Sequence, residues 1–97
     1  MLSSKQRAFL RSMANTMDPI MQVGKGGVGE ELITSVDNAL EARELIKMSV
    51  LDTAPVSARE AADELEAATG ADVVAVVGRR FVLDRPSKKK KKIELPK

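Results

Sequence analysis

Between residues 23 and 29 the chain reads Val-Gly-Lys-Gly-Gly-Val-Gly, four glycines in six positions between a short apolar run and a long amphipathic segment. Such a stretch is a turn, and its composition suits an anion. Absent Cβ atoms let a ligand approach the backbone, and tolerance of φ > 0 lets successive N–H groups converge on one point. A helix starting at Glu30 adds unpaired N–H groups and the positive end of its dipole, while Lys25 supplies a mobile cation. The turn predicts a phosphate-binding loop.

The patterning on either side predicts a small α/β fold. Ser3 or Ser4 caps a first helix running to about Met17, with Phe9, Leu10, Met13 and Met17 on its inner face. Asp18-Pro19 ends it, because the residue before proline leaves the helical region. Ile20 to Val23 form a short strand, the glycine turn follows, and Leu32, Ile33, Val36, Ala39 and Leu40 stripe a second helix ending near Arg43. Ile46, Met48 and Val50 alternate with Lys47, Ser49 and Leu51 as a second strand, closed by Asp52 to Pro55.

Ser57-Ala-Arg-Glu60 is a capping box opening a third helix, whose inner face is Ala58, Ala61, Ala62, Leu65 and Ala68 and whose end is Gly70. Val73 to Val77 read as a strand buried on both faces, and Gly78-Arg79-Arg80 turns the chain into an antiparallel edge strand, Phe81 to Leu83. The order is α-β-α-β-α-β-β, helices packed on a small four-stranded mixed sheet.

A chain of 97 residues makes one domain, and with only Phe9 and Phe81 aromatic its core is aliphatic. Base stacking on aromatic platforms is therefore almost excluded. With no Cys and no His there are no disulfides, no ordinary zinc site and no Ser-His-Asp chemistry. No run approaches the roughly 20 apolar residues of a membrane span, and the expectation is a soluble cytoplasmic protein without a membrane partner.

Charge is divided. Residues 1–86 hold ten Lys or Arg against thirteen Asp or Glu, a net of −3, whereas residues 87–97 hold six Lys against Glu94, a net of +5. The reading is a domain over residues 1–86 and a basic, disordered tail over residues 87–97, in which Lys88 to Lys92 repel one another. The tail serves either as a solubilising segment or as an electrostatic arm for nucleic acid.

Two readings of the glycines compete. Gly24-x-Gly26-x-x-Gly29 matches the dinucleotide fingerprint between a strand and a helix, with Asp52 ending the next strand where a ribose-binding acid belongs. A dinucleotide fold, however, uses two βαβαβ halves, and this chain has one short strand before the loop. The phosphate loop of nucleotide hydrolases fails, because Lys25 precedes the critical glycine and no Ser or Thr follows it. The other reading takes Gly24-Lys25-Gly26-Gly27 as a Gly-x-x-Gly turn that clamps a polynucleotide backbone, as in KH domains. A plain tight turn also remains open.

Beyond the turn, the chain resembles stand-alone bacterial CRM domains, the YhbY-like family. The matching pieces are Leu2-Ser-Ser-Lys-Gln-Arg-Ala-Phe-Leu-Arg11, Val23-Gly-Lys-Gly-Gly-Val28, Asn38-Ala-Leu-Glu41, Glu44-Leu-Ile-Lys47, Ala62-Asp-Glu-Leu65, Thr69-Gly-Ala71 and Val77-Gly-Arg-Arg-Phe-Val-Leu83. The resemblance implies a fold similar to the C-terminal domain of bacterial translation initiation factor three, RNA binding through the Gly-x-x-Gly loop, and association with precursors of the large ribosomal subunit. No catalysis is expected from the resemblance, and the chain is read as having no cofactor and no metal and as being a monomer.

Carried over, the RNA-binding residues are Gly24, Lys25, Gly26 and Gly27 of the loop, with Lys5, Arg7 and Arg11 of the first helix, Lys47, and Arg79 and Arg80 of the hairpin. For Arg79-Arg80 a merely polar hairpin tip is the alternative. The family usually places a Ser or Thr where Gly29 stands, so a more mobile loop is expected here. The basic residues are expected to share one face, opposite or beside an acidic one that includes Asp63, Glu64 and Glu66.

Overall fold

A computed structural model describes residues 2–87, so the Lys88 to Lys92 run lies outside the described residues. Three helices are present among them, α1 (Ser4–Ala14), α2 (Glu30–Arg43) and α3 (Ala58–Thr69). The strands are β1 (Met21–Val23), β2 (Leu45–Val50), β3 (Asp72–Val77) and β4 (Arg80–Asp84), which gives the expected α-β-α-β-α-β-β order.

Two helices start on reciprocal caps. Ser3 accepts the Gln6 amide at 3.1 Å while the Gln6 side chain accepts the Ser3 amide at 3.1 Å; Ser57 and Glu60 repeat the pattern at 3.1 and 3.0 Å. Helix α1 stops at Ala14, three residues short of the predicted Met17, because the chain must already turn before Pro19. Its buried residues are Leu10 and Ala14; Phe9 and Met13, predicted on the inner face, are exposed. Helix α3 ends on Gly70 at φ +77°, a conformation glycine takes freely, and Ala68, also predicted inside, is exposed on the last turn.

The strand order is β1-β2-β4-β3, with β1 and β2 parallel and the other pairs antiparallel. This corrects the predicted roles of the last two strands. Strand β4 returns from the hairpin into the slot between β2 and β3 and becomes central, burying Phe81, Val82 and Leu83, while β3 lies at the edge and leaves Val77 72% exposed. An apolar run of this length fits either place, and only the hairpin's insertion decides.

Helices α2 and α3 cover one sheet face, where Ile46, Met48, Val50, Phe81 and Leu83 meet Val36, Leu40, Ala61, Ala62 and Leu65. Each large side chain buried there contributes roughly 1.5 to 3 kcal/mol. Helix α1 crosses the other face over a smaller cluster of Leu2, Leu10, Leu45, Val74 and Val82. A register shift between Val73 and Ala75 places both Val74 and Ala75 on the α1 side.

Beyond β4 the chain is tied down. Arg85 donates to the Asp37 carboxylate at 2.5 Å, to the Thr69 carbonyl at 2.8 Å and to the Asp37 carbonyl at 3.1 Å, joining α2 to the end of α3. Glu44, buried and at φ 65°, accepts the Ser87 amide at 2.6 Å, and the Ser87 hydroxyl bonds to Glu41. Neither contact is visible in the sequence, since non-glycine residues rarely adopt that φ.

Candidate nucleic-acid interface

Strands β1 and β2 run parallel, so the glycine turn and the 51–57 loop emerge side by side at one end of the sheet. The hairpin tip joins them, because the Val50 amide donates to the Arg79 carbonyl at 2.7 Å. The Gly27 amide donates to the Gly24 carbonyl at 2.9 Å, which closes a turn with exposed Lys25 and Gly26 at its tip. Gly27 lies at φ +68°, and a Cβ there would stand 3.1 Å from Pro55 Cγ. Gly26 and Gly29 have neither restriction, since their φ angles are ordinary and a Cβ would meet nothing within 4 Å.

Gly29 starts α2 on extended backbone with no side-chain cap. The first turn carries Glu30 and Glu31, exposed acids that take up the helix dipole themselves and oppose an incoming phosphate. Anion attraction at the loop therefore falls to Lys25 and the turn's backbone rather than to the helix end.

On the α1 face, a groove opens between the end of α1 and the sheet where the helix leaves the strands uncovered. Arg11, Lys47 and Arg80 line its rim, Ala75 and the buried Val82 its floor, and the exposed Val77 its mouth. Lys47 donates from Nζ to the Ala14 carbonyl at 3.2 Å, held by the negative end of α1 with its other protons free to bond outward. Neither Arg11 nor Arg80 has a carboxylate within ion-pair distance among the described residues. Register then extends the groove. Val77 pairs with Arg80, Arg80 with Ser49 and Ser49 with Gln22, so these four share one face in a row crossing all four strands beside the glycine-turn end.

The remaining sequence-predicted cations lie elsewhere. Arg7 lines a separate depression with Arg59 and Glu66 on the β3 edge, sharing Ala75 with the groove. Arg79 is ion-paired with Asp52 beside the 50–58 segment. Lys5 is exposed in the first turn of α1. Asp63, Glu64 and Glu66 are exposed on α3, Asp63 paired with Arg59 at 3.4 Å, so Arg7 stands beside the acidic side. Sequence reasoning missed Asn15 on the groove rim and the Gln22–Ser49–Val77 part of the row. The period of two in β2 marks Ser49 as facing with Lys47, but its neighbours follow only from strand order.

Asp52 is engaged by Arg79, and the sheet has one parallel pair where a dinucleotide fold requires a doubly wound set. Among the described residues no helix is long and apolar enough to cross a membrane.

Comparison with known proteins fits the resemblance read from the motifs. The chain is 46% identical to "Probable RNA-binding protein YqeI" of Bacillus subtilis over 96 residues, covering 99% of this chain and 100% of that one. It is 33% identical to a Haemophilus influenzae protein named "RNA-binding protein", covering 99% and 96%. The solution structure of a Staphylococcus aureus protein, described as hypothetical with a proposed RNA-binding role, superposes with a TM-score of 0.81 at 47% identity, covering 99% and 100%. Because the CRS1 / YhbY (CRM) domain profile matches residues 2–85, the chain belongs to that family.

Proposed function

We propose that this protein binds RNA through the exposed Gly24-Lys25-Gly26-Gly27 turn together with the groove of Arg11, Lys47 and Arg80, and that it acts as an assembly factor on precursors of the large ribosomal subunit. It works by binding alone, as a cytoplasmic monomer, with residues 1–86 as the RNA-binding domain and residues 87–97 as a basic arm. Lys5, Arg7 and Arg79 lie outside this surface, Arg7 beside Glu66 and Arg79 paired with Asp52, and are not counted among its phosphate contacts.

The observation that carries the reading is the groove: three cations converge, without carboxylate partners among the described residues, on a face that α1 leaves partly uncovered, in a domain whose body is net acidic. Cations gathered in this way release counterions from a polynucleotide, whereas scattered ones contribute little. Gly26 is consistent with the turn's part, since the fold itself does not require glycine there and the open space at its Cβ position leaves room for an incoming backbone.

Lys25→Glu tests the clamp. It should abolish binding to ribosomal precursor RNA while leaving folding stability within about 0.5 kcal/mol, as for an ordinary surface change. Undiminished binding refutes the clamp. In cells, crosslinking followed by sequencing of the attached fragments should recover large-subunit precursor RNA; recovery of unrelated transcripts alone refutes the assembly role.

A further inference from the structure

We infer that the groove between the end of α1 and the uncovered sheet seats one unpaired nucleotide, its base on the apolar floor and its flanking phosphates on Arg11, Lys47 and Arg80. The inference deepens the RNA-binding proposal and rests on it.

A surface that recognised phosphates alone would need no apolar floor. Here Ala75 and Val82 form the floor with Val77 at the mouth, and the cavity amounts to about 200 Å³. Val77 is 72% exposed at the end of an edge strand, a large apolar residue in direct register with Arg80 and without a packing role. An RNA duplex presents phosphates and riboses outward and keeps its base faces stacked, so it would meet the rim and leave the floor in water. An unpaired base fills both. Arg11 and Arg80 also offer guanidinium planes on which a base can stack, which supplies in part what the missing aromatic residues cannot. Asn15 on the rim adds an amide donor and acceptor within reach of a base edge.

The full chain, labelled for NMR, is titrated with a short single-stranded oligoribonucleotide and, separately, with a fully paired RNA duplex carrying the same number of phosphates. The single strand should shift the methyl resonances of Ala75, Val77 and Val82; the duplex should shift the Lys25 and Gly26 amides but not those methyls. Ala75→Leu, which fills the floor without changing charge, should weaken single-strand binding about tenfold, near the low end of single-base stacking energies, and leave duplex affinity unchanged. Its melting curve confirms the fold, and Arg80→Gln, an exposed change, gives a second reading of the same groove.

Methyls that stay still while the loop amides move would overturn the groove inference and leave the RNA-binding proposal standing. Loss of both RNAs from the wild-type chain would bring down that proposal as well. Equal methyl shifts with an acidic peptide of matched charge would also overturn the inference, because charge alone would then fill the groove.

Discussion

Gly26 and Gly27 are neighbours in the turn and do different things. Gly27 sits at φ +68° with Pro55 Cγ 3.1 Å from where a Cβ would stand, so Gly27→Ala should cost about 1 to 2 kcal/mol in chemical denaturation, as left-handed backbone does for L residues. Gly26 has open space and an ordinary φ, so Gly26→Ala should leave the denaturation midpoint in place and lower RNA affinity, because the added methyl meets only the ligand. Equal destabilisation by the two substitutions would mean that Gly26 is needed by the fold. The glycine cluster itself is plain in the sequence. Which glycine serves the chain and which the partner is not, since that depends on Pro55, which approaches from another loop. Glu44 is less legible still: nothing in Arg-Glu-Leu-Ile marks it as buried at φ 65° and bonded to Ser87.

At the scale of elements, the Ser57–Glu60 cap was readable from four letters and carries a pH dependence. The Ser57 backbone N–H, then its side chain, bond to the Glu60 carboxylate and hold it below its ordinary 4.5. A folded-state value below the unfolded one means that this stabilisation is fully present above about pH 5 and disappears as pH falls through 4.5 to the lowered folded value. Ser57→Ala, which keeps the backbone donor, should lower the melting temperature at neutral pH and flatten that acid-limb loss only in part, whereas Glu60→Gln should remove it, which melting curves across the acid range read directly. Strand placement was less accessible. Val73 to Val77 has the composition of a doubly covered strand yet lies at the edge, and the shorter Phe81-Val82-Leu83 takes the centre. Period and propensity describe a segment's own faces, whereas its position in a sheet depends on which slot the hairpin fills. The same gap hid the groove, whose row joins residues from all four strands by register.

For the whole molecule, the layers are held at the C-terminal side by Arg85, which spans α2 and the end of α3. Removing it leaves the Thr69 carbonyl and the Asp37 contacts unmet, so Arg85→Ala should lower the unfolding free energy by about 2 kcal/mol, and lysine should restore only part of it, because one ammonium can replace Nη1 on the Asp37 carboxylate and the Thr69 carbonyl but not the Nη2 bond to the Asp37 carbonyl. Charge distribution sets the binding behaviour in turn. The body is net −3 over residues 1–86, so affinity depends on the cations the fold gathers rather than on overall charge. With Lys88 to Lys92 replaced by serine to isolate the body, contacts from Arg11, Lys25, Lys47 and Arg80 should give a log–log salt slope of about −3 for single-stranded RNA, at about 0.7 per phosphate. Arg11→Gln with Arg80→Gln should halve that slope, while Arg7→Gln, placed beside Glu66 on the β3 edge, should leave it nearly unchanged. A slope that falls equally for Arg7 and for Arg11 would mean that RNA wraps the acidic side as well, and the groove would lose its claim to be the centre of the surface.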